Sequence, residues 1–213
     1  MANTNDQLAK GSAEIKRDME LTLLSNQVAT NGNSSTARAL GGLQAWLSTS
    51  YSGGTSGVAG SLGTTARTNG TNRTFTEAIL QSVVKSVYTA GGNPKILMVT
   101  PAHKQTVSAF AGIAAQRYMA PTDAPTTIIG AADVYLSDFG SLSVVPSRFM
   151  NSVNSADDVA YVLDPDMAAI AYLRPFQTNE LAVTGDNEST QLLTEFTLEV
   201  KNEAAHGIIA DLT

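Results

Sequence analysis

The stretch from Met167 to Thr213 constrains the fold most, because its residues alternate in character over a long distance. An apolar segment, Ala168 to Leu173, runs into Arg174-Pro175-Phe176, and a polar turn follows. In the next run Leu192, Phe196, Leu198 and Val200 fall on one side, while Thr197, Glu199 and Lys201 fall on the other. That period of two predicts a long strand in a sheet with one buried and one wet face. The run stops at the corner Asn202-Glu203-Ala204-Ala205-His206-Gly207, where His206 is expected to play a hydrogen-bonded, structural part.

The N-terminal region predicts a partner for such a sheet. Thr4 with Gln7 three residues on reads as a capping box opening a helix that runs to about Val28. Leu8, Ile15, Met19 and Leu23 form a narrow apolar stripe, widened at the far end by Leu24 and Val28. Asp6–Lys10, Lys10–Glu14 and Lys16–Glu20 stand four apart on the other face, each worth a few tenths of a kcal/mol, roughly, if exposed. A long polar rod with one stripe suits a strut across a sheet, and equally reads, on its own residues, as an ordinary surface helix. The single tryptophan, Trp46, is expected to be a packing anchor.

From Ser48 to Asn72 the composition collapses into Gly, Ser, Thr and Ala, which predicts a flexible or irregular loop with little to fill a core. Gly53, Gly54, Gly57 and Gly60 lack the Gly-Lys-Ser/Thr of a phosphate loop, so nucleotide binding is not expected. Thr74 and Glu77 suggest a second capping box for a helix from Phe75 to about Ala90, with Ile79, Leu80, Val83, Val84 and Val87 at helical spacing. Gly91-Gly92-Asn93-Pro94 ends it. Ile96-Leu97-Met98-Val99 reads as a central strand covered on both faces. Thr100 then caps a third helix with Pro101 at its first position, carrying His103, Val107 and Phe110.

Ala111 to Gly130, with Pro121 and Pro125, is expected to be a loop. A hairpin with the five-residue connection Ser137–Ser141 should follow, its second arm ending at Pro146. Ala160 to Leu163 and Ala168 to Leu173 read as strands around an Asp164-Pro165-Asp166 turn. The elements together predict an α+β class.

Composition excludes several functions. With no cysteine, neither disulfides nor thiolate metal sites exist. The net charge of −6, with thirteen scattered Lys and Arg, forms no basic run for phosphate binding. No stretch approaches the roughly 18 to 20 apolar residues of a membrane span. His103, expected to be a solvated residue near a helix start, and His206 are the only histidines, and no Gly-X-Ser-X-Gly elbow accompanies them. Asp157-Asp158, Asp164 with Asp166, and Asp186 with Glu188 lack calcium-loop spacing and read as turn or solvated carboxylates. No catalytic, cofactor-binding or metal-binding residue is expected, and an enzyme is not.

Ordered words along the chain carry a resemblance. GSAEIKRDMELTLLSNQ, then Arg38-Ala39-Leu40-Gly41-Gly42-Leu43-Gln44-Ala45-Trp46-Leu47, Val-Tyr-Leu-Ser-Asp-Phe-Gly, Val-Val-Pro-Ser-Arg-Phe, Val-Leu-Asp-Pro and Ala-Tyr-Leu-Arg-Pro-Phe occur in sequence. Together with the corner at 202–207 they resemble the major capsid proteins of tailed bacteriophages. The resemblance implies a capsid fold with a peripheral domain (1–73, spine helix and loop; 174–200, returning strands) and an axial domain (74–173 and the last strand, 201–213). It implies pentamers and hexamers of this chain in an icosahedral head around the DNA genome. Scaffold, portal or decoration proteins are further partners, DNA is met only by non-specific proximity, and there is no membrane partner. The expected location is the virion, and the host cytoplasm before assembly. Family members carry an N-terminal arm and an extended loop before the spine helix. A chain starting at that helix is expected to be a truncated or processed form, giving monomers or small rings rather than closed shells. The alternatives are an encapsulin-like nanocompartment shell protein, which shares the fold, and a small α/β hydrolase or ligand-binding protein with a histidine beside a carboxylate.

Overall fold

The computed structural model describes residues 2–110, 133–151, 156–182, 185 and 189–213, with side chains from residue 6 onward. The loop at 111–130 and the Asp186–Glu188 pair lie outside the described residues, whereas Thr4, expected to open the first helix, falls inside it because the helix already runs from Ala2. Helix α1 spans Ala2–Leu23, ending before the expected Val28. Beyond it the main chain finds partners elsewhere. Gly42 N donates to Gln27 O (2.8 Å), Ala29 N donates to Gly63 O (2.7 Å), and the Asn26 amide pairs in both directions with the Arg67 main chain. Once those carbonyls and N–H groups are satisfied outside the helix, nothing favours another turn. Of the three expected ion pairs, Asp6–Lys10 forms at 2.8 Å. Glu20 accepts from Ser147 Oγ instead (2.9 Å), and Lys16 lies over the Phe176 ring.

Helix α2 (Leu43–Trp46) seats the tryptophan against glycines: a Cβ on Gly63, at φ +76°, would come 2.9 Å from the indole. Strand β1 (Ser50–Ser52) follows, then helix α3 (Glu77–Thr89), strand β2 (Ile96–Val99) and helix α4 (Pro101–Ser108). The capping box expected for α3 does not form. Thr76 is the N-cap and makes no side-chain cap bond, while the Glu77 carboxylate accepts from Tyr135 OH (3.0 Å). Gly91, at φ +88°, ends α3, with Gly91 N donating to Tyr88 O and Gly92 N to Val87 O. Thr100 caps α4 as expected, accepting from His103 N (3.2 Å).

Strands β3 (Val134–Ser137) and β4 (Gly140–Pro146) join through Asp138-Phe139, a tighter turn than the five residues expected. Ser137 Oγ donates to Gly140 O (2.7 Å) and accepts from Phe139 N, and Gly140 takes φ +135°, so pairing continues to the tip. Strand β5 (Ala160–Leu163) leads through a 3-10 turn, capped by Asp164 onto Asp166 N, into β6 (Ala168–Glu180). Strand β6 outlasts the predicted Leu173. Its ladder shifts register between Tyr172 and Gln177, where Pro175 needs no partner for its missing N–H. Strands β7 (Thr190–Val200) and β8 (Gly207–Ile209) complete the chain.

The six-stranded sheet runs β1-β8-β5-β2-β4-β3, with β1 parallel to β8, β2 parallel to β4, and the other pairs antiparallel. Alternate residues feed two cores. Leu97, Val99, Val162 and Ile209 meet Leu80, Val83, Val84 and Val87 of α3 on one face. Tyr161 and Ile208 meet Leu24, Leu43 and Leu47 on the other, with Met98 packed beside them. Each fully buried aliphatic side chain contributes about 1.5–3 kcal/mol. Strands β6 and β7 form a separate antiparallel ribbon. Helix α1 lies on this ribbon, with Ile15 and Met19 facing Leu192 and Phe196 across a shallow groove. On β7 the expected alternation holds from Phe196 to Val200, with Thr197 and Glu199 outward.

Candidate functional site: a buried arginine clasp and exposed apolar side chains

Arg67 is the single charged residue between Ser48 and Asn72, in the segment expected to be a loose loop. The structure shows this segment irregular but pinned. Bridges join Val58 to Thr68 and Ser61 to Thr65, and β1 pairs with β8. The Arg67 side chain is fully buried at its centre. Its Nε donates to Gln44 Oε1 (3.1 Å), Nη1 to Asp211 Oδ1 (3.0 Å), and Nη2 to both oxygens of Asp158 (3.1 Å each). Asp211, at φ +60° and fully buried, also accepts from Gly54 N (2.7 Å) and Gly70 N (2.8 Å). Gln44 Nε2 and Tyr161 OH both donate to Leu24 O, where α1 ends. One guanidinium thus ties the α1 exit, α2, the Gly-rich segment, Asp158 and the residues after β8. Burial pushes the Asp158 carboxyl above its usual range, against the pull of Arg67. Burial likewise raises the Tyr161 hydroxyl. Asp158 was expected to be a solvated turn residue; the lone arginine nearby in space gives it another role.

The corner at 202–207 is a second knot. Asn202 Oδ1 accepts from Ala204 N (3.2 Å), and Glu203 accepts from Ser48 N, Thr49 N and the Thr49 hydroxyl. Burial alone would raise Glu203, yet these hydrogen bonds hold its carboxyl below the usual range. His206 is buried and its Nδ1 accepts from Asp164 N (3.2 Å), the structural part expected of it. Asp164 and Asp166 serve their turn, and the Lys95 ammonium holds Asp166 below the usual carboxylate range.

His103 departs from expectation: it is buried, not solvated, with its ring edge-on to Phe75 at 5.8 Å. Burial pushes both histidines below the ordinary imidazole value, and the Nε2 of each is buried without a hydrogen-bond partner. His103 faces Asp157 and Asp158 charges, His206 those of Asp164 and Glu203. Neither lines the groove described below. Among the described residues, no three His, Asp or Glu side chains cluster to hold a metal ion. No described helix is long and apolar enough to cross a membrane.

Among the described residues, large apolar side chains reach solvent at Val58, Leu62 and Tyr88 and in two groups on strands. On the β3–β4 hairpin Val134, Leu136 (67% exposed) and Val145 share the face opposite Tyr135 and Leu142. On the β6–β7 ribbon Ile170, Tyr172, Leu173 (78% exposed) and Leu181 stand out. Tyr172 and Leu173 line an open groove of about 870 Å³ together with Arg38, Leu40 and Phe196. Scattered exposed apolar residues are ordinary, and these two groups are the ones that share a strand face or a groove.

A six-stranded mixed sheet between helices and a separate two-stranded ribbon backed by a long helix make up the described fold. The profile of the SU10 major capsid protein family matches residues 2–213, and the chain belongs to that family. The virion shell is the place of such a protein. A solved chain of the holo-SrpI encapsulin complex from Synechococcus elongatus PCC 7942 superposes on 98% of this chain at TM-score 0.56 and 13% identity. This likeness shows the fold. The match covers 65% of that shell chain's length. A virus-like particle chain from Pyrococcus furiosus, at TM-score 0.37 and 11% identity over 65% of this chain and 54% of its own, is too distant in shape to bear on the assignment. No curated protein sequence matches.

Proposed function

We propose that this chain is the structural subunit of a phage head. Its copies associate into five- and six-membered rings that close an icosahedral shell around the DNA genome. The observation that carries the reading is the match of the capsid-family profile along 2–213, on a chain whose polar centre is a buried clasp rather than an open site. The chain works by association and not by transforming a bound molecule: its two histidines are buried and turned to structural neighbours.

The division proposed is a peripheral part, residues 1–73 and 174–200, and an axial part, residues 74–173 and 201–213. Strand β1 joins the axial sheet by its pairing with β8. Packaged DNA meets the wall without specific contacts, in keeping with the net charge of −6. Scaffold, portal or decoration proteins are its further partners, and the subunit resides in the host cytoplasm until assembly. Negative-stain microscopy of the purified chain tests the reading. Rings of five or six copies, or shells built from them, support it; single particles at every concentration contradict it.

A further inference from the structure

We propose that Asn31-Gly32 is a self-modifying site, where the chain converts its own asparagine to aspartate and isoaspartate through a cyclic imide. The chain holds two Asn-Gly steps, Asn31-Gly32 and Asn69-Gly70. A glycine has no Cβ, so its nitrogen is open to the side-chain amide of the residue before it. Both asparagines are exposed, and exposure does not separate them. Hydrogen bonding does. The first step lies in the turn between Thr30 and Ala39, whose main chains exchange two hydrogen bonds (2.8 and 3.0 Å). Farther round the turn, Asn33 Oδ1 accepts from Ser35 N and Thr36 N, and Asn33 N donates to Thr36 O. These bonds bracket Gly32, whose own N–H meets no acceptor among the described residues. The nearest atom to a Cβ on Gly32 would be Arg38 Cγ, part of a flexible side chain.

The second step is held shut. Gly70 N donates to Asp211 Oδ1 (2.8 Å), a fully buried acceptor that also takes a bond from Arg67 Nη1 (3.0 Å). Thr71 N donates to Thr55 O (2.9 Å), and a Cβ on Gly70 would stand 2.6 Å from Gly57 N. The main chain there has no room to turn its nitrogen toward Asn69. At the first step Gly32 N gives its proton to solvent base and bonds to Asn31 Cγ, and the side-chain nitrogen leaves as ammonia. Water then opens the cyclic imide at either carbonyl. Breaking the bond from Cγ to nitrogen leaves aspartate; breaking the bond from the main-chain carbonyl carbon to nitrogen leaves isoaspartate, linked through Cγ. In sum, one amide and one water become one carboxylate and one ammonium ion. Asn31 lines the same groove as Arg38, Tyr172, Leu173 and Glu195, so conversion puts a new negative charge on that surface.

The test is peptide mapping by mass spectrometry of the folded wild-type chain, sampled while it stands in mildly alkaline buffer. Electron-transfer fragmentation tells isoaspartate from aspartate, and a parallel sample is kept unfolded in urea. In the folded chain Asn31 is expected to convert about tenfold faster than Asn69 or more, because Gly70 must first give up a hydrogen bond to a charged acceptor. In urea that bond is gone, and the two steps should convert at similar rates. Equal rates in the folded chain, faster conversion at Asn69, or an Asn31 that stays intact when folded overturns the assignment. A tenfold difference that persists in urea overturns it as well, because neighbouring sequence and not the fold would then set the rates.

Discussion

A guanidinium withdrawn from water needs acceptors for its N–H groups and a compensating charge. Arg67 has both, from Gln44, Asp158 and Asp211, and Asp211 is itself saturated by two glycine N–H groups. Arg67→Met therefore leaves two carboxylates facing each other in a dry site. We expect a loss of about 3–5 kcal/mol, read from urea unfolding midpoints. The buried histidines set the pH dependence. Their folded pKa values lie below the ordinary value of about 6.5, so the unfolded chain binds protons first as pH falls. Their contribution is complete above that pH and is lost below it. Asp158 acts in the opposite sense, since its raised pKa lets the folded state take up a proton before the unfolded one does. The urea midpoint should fall between about pH 7 and about pH 5, and His103→Leu should flatten that slope.

At the scale of elements, close approach decides what can change. A Cβ on Gly207 would stand 2.5 Å from Val83 Cγ1, because α3 rests directly on β8. Gly207→Val should then destabilise by about 1–3 kcal/mol through overpacking, visible as a lower melting temperature. The ribbon behaves differently. Leu173→Lys should leave monomer stability within about 0.5 kcal/mol while weakening self-association, as light scattering would show. Local patterns made much of this legible beforehand. The spacing of Leu80, Val83, Val84 and Val87, the Thr100-Pro101 cap and the apolar run Ile96–Val99 all depend on neighbours in sequence. The Arg67 clasp was illegible because its partners lie 23, 91 and 144 positions away. Its one trace was a lone charge in a Gly-, Ser- and Thr-rich stretch. The early end of α1 and the missing α3 capping box have the same origin, since distant groups satisfied what local rules had assigned to neighbours.

For the whole molecule, the topology makes the end of the chain its keystone. Strand β8 lies between β1 and β5, and Asp211 just beyond it holds the Gly-rich segment. Removing residues 207–213 takes away the only described strand partner of β1 and the clasp together. Hydrogen exchange should then show residues 48–73 unprotected, while β2 and β4 keep their protection. The chain belongs to the SU10 major capsid protein family, and self-association is the property that such a shell subunit turns on. Sedimentation velocity of the folded wild-type chain over a wide concentration range tests that claim most directly. Concentration-dependent species of discrete size are expected at five or six times the subunit mass, or larger assemblies built from them. A single monomer boundary throughout, with the fold intact, would contradict it.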